Sequence, residues 1–310
     1  MAARTTSVAF EGAEARLVDV QVQVAGGSQP IFSIVGLGDK AVTESRERVR
    51  AAFAALGLSM PSQRLIVNLA PADRPKEGSH FDLPIALSVL AELGVVPRDA
   101  VEENLAFGEL GVDASIASAP GALPAAVAAQ AAGLSLICPE ACGPEAAWAG
   151  GELPIIAPAS LIQLINHFKG TQVLSRPAPG ELVESASIAD LNQVKGQESA
   201  KRALEIAAAG HHNLLMVGPP GSGKSMMAER LPGLLPPLSA AELLDVSMIH
   251  SVAGLLERGC LRRDRPFRSP HHSASMAAMV GGGSRAKPGE ASLAHHGVLF
   301  LDELPEFHPQ

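Results

Sequence analysis

The run Asn213-Leu-Leu-Met-Val217, continuing as Gly218-Pro-Pro-Gly-Ser-Gly-Lys-Ser225, decides how this chain is read. Gly218 to Ser225 meets the pattern G-x-x-x-x-G-K-[ST] at every defined position. Each residue type has a chemical reason. Gly221 and Gly223 let the backbone wrap phosphates without Cβ clashes. The N–H groups of such a loop make an anion nest. Lys224 supplies an ammonium for the β- and γ-phosphates, and Ser225 a hydroxyl for Mg²⁺. The nucleotide-binding set is therefore Gly218, Pro219, Pro220, Gly221, Ser222, Gly223, Lys224 and Ser225. The apolar run predicts a strand over 213–217, and a helix is expected from Met226 to Leu231.

About 70 residues further on stands Gly297-Val-Leu-Phe-Leu-Asp-Glu303. Its four apolar residues predict a buried parallel strand with Asp302 and Glu303 at the C-terminal end, where open α/β sheets hold ligands. Asp302, with Ser225, is suited to hold Mg²⁺. Glu303 is the catalytic candidate, placed to polarise an attacking water. The Asp-Glu pair, with no guanine-reading motif, points to ATP.

Working outward, residues 191–310 form one unit with the nucleotide motifs, including a helix from Gln197 to Ala209. Pro177, Pro179 and Gly180 mark 169–190 as a linker. Residues 1–168 mix strands (Leu17–Val24, Ile31–Val35, Arg64–Leu69, Leu134–Cys138) with helices (Lys40–Leu56, Asp82–Leu93, Leu123–Ala132), and Gly26-Gly27 marks a turn. The fold class is α/β throughout, with a parallel sheet expected in the second unit.

The net charge of −8 argues against a generally basic coat for nucleic acid. Charge is uneven, however. Between Arg258 and Lys287 seven basic residues face one acidic residue, Asp264. A solvated face and a polyanion contact are both open readings there. For the second, Arg262, Arg263, Arg268, Arg285 and Lys287 are the candidate DNA contacts. Cys138 and Cys142 lack the second pair that a structural zinc site needs, so buried thiols are expected. The N-terminus has no secretory h-region and no stretch reads as a membrane span, which places the expected protein in the cytoplasm.

Val194-Lys-Gly-Gln-Glu-Ser-Ala-Lys-Arg-Ala-Leu204, Arg265-Pro-Phe-Arg-Ser-Pro-His-His-Ser-Ala-Ser275 and Pro288–Phe307 resemble the ComM/YifB family of magnesium-chelatase-like AAA+ ATPases. So do Glu44-Ser-Arg-Glu-Arg-Val-Arg-Ala-Ala52 and Val67-Asn-Leu-Ala-Pro-Ala-Asp73. The resemblance covers essentially the whole chain. It implies a hexameric ATPase using ATP and Mg²⁺, acting on single-stranded or branched DNA as a branch-migration helicase in natural transformation. A chelatase-type chaperone for a protein or metal-insertion partner is the alternative, and a nucleotide-gated scaffold a third reading. It also implies further sequence with a sensor residue, an arginine finger and a lid, so that 310 residues alone are expected to hydrolyse ATP poorly. The family has His-Asn where this chain has His295-His296.

The N-terminal region further resembles the S5-like proteolytic domain of Lon. The matching run is Pro75-Lys-Glu-Gly-Ser-His-Phe-Asp82. His80 occupies the nucleophile's place, Ser79 is one position early, and Pro124 falls where the basic Lys would be. A Ser–Lys dyad needs an amine at that point, so proteolysis is not expected. His271-His272 reads as a metal or phosphate site, or as a loop or ring-subunit contact. Ser275 to Gly283 reads equally as a mobile pore loop or a packed hairpin.

Overall fold

Alternating burial along Ala3–Glu11 (β1) turns back through Gly12 into Glu14–Ala25 (β2), and the two pair antiparallel with Ala3 opposite Val22. The computed structural model describes residues 2–25, 31–36, 38–73, 76–184, 189–282 and 287–307. The expected Gly26-Gly27 turn, Pro75, Gly283 and Arg285 lie outside that set.

Phe32–Val35 (β3), Asp39–Ala55 (α1) and Arg64–Ala70 (β4) follow. β4 pairs antiparallel with β2 and parallel with β3. Then come Asp82–Glu92 (α2), Arg98–Glu102 (α3), Asn104–Ala106 (β5), and a small antiparallel pair, Glu109–Leu110 (β6) with Ile116–Ala117 (β7). Ala122–Ala131 (α4), Ser135–Ile137 (β8), Gly143–Ala146 (α5), Ile155–Ile156 (β9) and Leu161–Phe168 (α6) complete the run. The seven-stranded sheet has the order β3-β4-β2-β1-β5-β8-β9. The pairings β1–β5, β5–β8 and β8–β9 are parallel, like β3–β4, so the sheet is mixed but mostly parallel.

Strand alternation sorts side chains to two faces. Val18, Val20 and Val22 of β2 join Phe53, Leu83 and Leu87 in one core. Val8 of β1, Leu105 and Leu136 join Ala125 and Ala129 of α4 in the other. α2 is buried from Asp82 to Ala91, as expected of a helix that is apolar nearly all round. Its one buried charge, Asp82, is met by Arg48 Nε at 2.5 Å.

Contacts divide the chain into two units. The first is Met1–Gly180 with Ser251–Cys260, and the second is Glu181–His250 with Leu261–Gln310. Two expectations change here. Part of the expected linker is pinned to the first unit, because Arg176 donates to the Leu153 and Gly150 carbonyls at 3.1 and 2.6 Å. Residues 251–260 also fall in the first unit. Gly121 N donates to Ser251 O at 3.0 Å, Ser251 Oγ to Glu145 Oε1 at 2.5 Å, and Trp148 Nε1 to Gly259 O at 2.8 Å.

The second unit contains Leu182–Val183 (β10), Glu198–Gly210 (α7), Lys224–Ala228 (α8), Leu231–Leu234 (α9) and all but the last turn of Ala240–Ala253 (α10). It continues with Leu261–Arg262 (β11), Phe267–Arg268 (β12), Met276–Val280 (α11), Gly281–Gly282 (β13), Lys287–Pro288 (β14), Glu290–Leu293 (α12) and Val298–Leu299 (β15). β10 pairs parallel with β11, and β12 with β15. Leu191, Val194, Leu204 and Met227 form its small buried cluster.

Three sequence expectations are corrected in this unit. Residues 213–217 form no strand, and Leu215 and Val217 stand 74% and 88% exposed. A strand exists only through a hydrogen-bonded neighbour, and among the described residues this run has none. The run at 298–301 is a strand only over Val298–Leu299 and is not buried, because β12 covers one edge alone. The helix after the glycine-rich loop spans Lys224–Ala228, two residues ahead of expectation at its start. Among the described residues, no helix is long and apolar enough to cross a membrane.

Candidate functional site

The glycine-rich loop leads into α8 through two left-handed residues, Gly221 at φ 76° and Gly223 at φ 87°. A residue with a Cβ is strained in that region, which accounts for glycine at both places. Gln197, itself at φ 59°, donates its side-chain amide to the Ser222 carbonyl at 3.0 Å and holds the loop against the start of α7. From the far end of α8, Arg230 reaches the Asp190 carbonyl and Gln193 Oε1, at 3.2 and 3.3 Å. Side chains outside the glycine-rich pattern thus hold the loop, through Gln197, and the segment after α8, through Arg230.

Lys224 turns its ammonium back across the loop and donates to the Gly218 and Pro219 carbonyls at 3.0 and 3.2 Å. Pro219 and Pro220 are exposed, with Gly218 and Gly221 beside them, so one face of the loop is open.

The second motif reaches the first through β15. Gly297 lies so close to β12 that a Cβ there would stand 2.1 Å from the Pro266 carbonyl oxygen. Val298 N then donates to Pro266 O, and Phe300 N to Arg268 O, each at 2.8 Å. Phe267 and Phe300 stack across the pair with centroids 6.2 Å apart. This register carries the chain to Asp302, whose Oδ2 accepts from Ser225 Oγ at 2.8 Å. The two motifs, 77 residues apart in sequence, therefore meet at one point.

Glu303 follows at φ 53°, with its N–H on Asp302 Oδ1 at 3.0 Å. Its carboxylate is held by His272 Nδ1 at 3.2 Å. His272 is a site residue that sequence reasoning missed in this role. Its neighbour His271 caps a local turn instead, with Nδ1 at 2.8 Å from Ser273 Oγ. No pattern in sequence links His272 to Glu303, 31 residues away. Only the β12–β15 pairing brings the two segments together.

The basic candidates are scattered in role. Arg268 is committed to Glu290 by two bonds, at 2.5 and 2.6 Å, which lower the carboxyl's pKa and raise that of the guanidinium. Arg262 leans on Asp264 at 3.4 Å while staying largely exposed. Arg263 and Lys287 are exposed. Over the described part of 275–283, a short helix runs into the antiparallel pair β13–β14, with Met276 and Val280 exposed.

In the first unit, Ser79 Oγ donates to the Glu109 carboxylate. His80 is buried among Phe10, Phe81 and Phe107, with Nε2 at 2.9 Å from Val8 O. Cys138 and Cys142 are buried thiols, and burial pushes both pKa values up, that of Cys142 to about 11.

Comparison with known proteins bears on the whole chain. A family model described as magnesium chelatase, subunit ChlI, matches residues 190–310, and one described as subunit ChlI of Mg-chelatase matches residues 20–141. The chain is 45% identical to the YifB protein of Escherichia coli over 297 residues, covering 96% of this chain and 58% of that protein. It is 42% identical to the competence protein ComM of Haemophilus influenzae over 308 residues, covering 97% and 60%. A shorter stretch of 61 residues, 20% of this chain and 8% of the other, is 41% identical to an archaeal Lon protease of Halobacterium salinarum. The chain thus spans about three fifths of the length of the full-length relatives it matches.

Proposed function

Since the chain belongs to the ComM/YifB family of magnesium-chelatase-like proteins, we propose that it is the nucleotide-binding portion of an ATP-driven AAA+ motor that remodels DNA. The observation that carries this reading is the 2.8 Å contact between Ser225 Oγ and Asp302 Oδ2. Two oxygens bound side by side on an octahedral Mg²⁺, each at about 2.1 Å, lie about 2.9 Å apart. The pair is therefore already spaced to hold that ion, which when bound would neutralise phosphate charge.

The chain's own residues supply the rest. Gly218 to Ser225 cradle the phosphates, and Lys224 exchanges its two carbonyl partners for phosphate oxygens. Glu303 positions water, released from His272 when it does so. The relative named for competence supports DNA, single-stranded or branched, as the polymer acted on. Arg262, Arg263 and Lys287 are the described cations best placed for phosphate contact, with Arg285 in the same stretch. A hexameric ring in the cytoplasm completes the reading. The N-terminal unit is read as a Lon-like scaffold whose Ser79 is engaged by a carboxylate and not by an amine.

A fluorescent ATP analogue tests the binding step. The 310-residue chain is expected to bind it weakly, and Lys224→Ala to abolish the signal. In the protein extended to the length of its relatives, single-stranded or branched DNA should stimulate ATP turnover, and Glu303→Gln should cut turnover by about 100-fold or more while sparing binding. Equal binding by Lys224→Ala would defeat the nucleotide reading. A second reading, a chelatase-type chaperone, is favoured by the description of the two matching family models. Stimulation by a protein partner and not by DNA would select it.

A further inference from the structure

Away from the glycine-rich loop, α10 and the turn before β15 bring together three ligand-bearing side chains: Asp245, His295 and His296. One ligand atom from each lies within 4.8 Å of the others. Adjacent residues in extended chain point to opposite faces. Here that alternation is broken, because His296 takes φ 55° in a turn closed by Gly297 N on Ala294 O at 2.8 Å. The two imidazoles consequently lie with centroids 4.1 Å apart. A left-handed non-glycine residue carries a strain that the surroundings must hold, and Arg265 does so by donating to the His296 carbonyl at 2.8 Å.

The two nitrogens of His296 meet different acids. Nε2 is 3.3 Å from Asp245 Oδ2, and Nδ1 is 3.7 Å from Glu242 Oε1. Ligands about 2.0–2.1 Å from a tetrahedral ion are separated by about 3.3 Å. Asp245 and His296 Nε2 thus already have the spacing of one tetrahedral edge. Glu242 has the place of the carboxylate that orients a metal-bound histidine from behind. Glu242 is itself fixed by Ser239 N at 2.9 Å and by Arg265 at 3.1 Å. Its pKa is lowered to about 2, chiefly by the Ser239 backbone bond, so it stays ionised.

We propose that Asp245, His295 and His296 form a binding site for a divalent transition ion of the zinc, cobalt or nickel class, with Glu242 orienting His296. Two imidazoles and one carboxylate suit borderline ions, not magnesium or calcium, and three protein ligands leave a fourth position for water. The site lies at the start of β15, while Asp302 follows its end, so the ion would tie α10 to the strand that presents Asp302 and Glu303. The inference rests on these contacts and stands whether or not the chain is a motor.

Cobalt titration of the 310-residue chain, without nucleotide, tests it. One equivalent of Co²⁺ is expected to give the visible absorption of a four-coordinate site, and Zn²⁺ to displace it. His296→Asn and Asp245→Asn should each weaken binding by at least about 10-fold, and His272→Gln should leave it unchanged. Asp245 is exposed on α10, so its variant keeps the fold, which circular dichroism checks. No band in the wild type, or a band in either Asp245→Asn or His296→Asn that saturates at the same Co²⁺ concentration as in the wild type, would overturn the site.

Discussion

His80 shows what one side chain can decide. Its ring centroid lies 4.3 Å from Phe81 and 5.4 Å from both Phe10 and Phe107, and this burial lowers its pKa to about 4. In the unfolded chain the value is near 6.5. Between those values the unfolded chain takes up a proton that the folded chain refuses. Stability is therefore unaffected above pH 6.5 and falls as pH drops toward 4, by up to about 3 kcal/mol from this group. Urea unfolding across that range should show the loss in the wild type and a smaller one in His80→Gln, which keeps a donor for Val8 O but does not titrate. Sequence placed His80 at a protease nucleophile's position by resemblance. Its real role rests on Phe10 and Phe107, which only the sheet brings near, and no local pattern announces that. The nucleotide residues were the opposite case. Lys224, Ser225, Asp302 and Glu303 are proposed from residue type, because phosphate and Mg²⁺ chemistry limits which side chains serve, and the fold adds the Ser225–Asp302 contact.

Among the elements, the β12–β15 pair is the one on which the candidate site depends. Gly297→Ala would place a methyl 2.1 Å from the Pro266 oxygen, forcing β15 away from β12. Overpacking of this kind costs roughly 1–3 kcal/mol. A lower melting temperature, together with weaker nucleotide-analogue binding, is the expected outcome. Unchanged analogue binding would separate the strand register from the Ser225–Asp302 contact. Arg268 belongs at this scale too. On the DNA reading proposed above, Glu290→Gln should release it, raise affinity for DNA across all sequences, and steepen the salt dependence by about one phosphate contact. Helices and strands of the first unit were legible because alternation and helical spacing matched their burial. Residues 213–217 were equally apolar and form no strand, since pairing is a property of two segments and pattern describes one. Strand β10 hid inside a Pro- and Ser-rich stretch for the same reason, since its partner β11 lies about 80 residues further on.

At the scale of the whole chain, the two units differ in how much they bury. The first packs two extensive cores against its sheet, and the second holds the cluster around Leu191, Val194, Leu204 and Met227. Amide exchange protection should therefore be strongest in β1, β2, β4 and α2, and weakest in 213–221, where exposed backbone has no ladder. Slow exchange at Leu215 or Val217 in this chain would contradict the exposure seen there. Proline and glycine punctuation suggested a linker over 169–190. It could not reveal that 251–260 returns to the first unit, because the partners Gly121, Glu145 and Trp148 lie more than 100 residues upstream.

That return has a consequence at the laboratory bench. A protease that nicks the chain after Gly180 does not liberate two products. The carboxy-terminal piece still carries the segment gripped by Glu145 and Trp148, so the halves should travel as one band on a native gel and part only in detergent. Freeing the second unit intact calls for scissors at 180, at 250 and at 260, and for a splice joining His250 to Leu261.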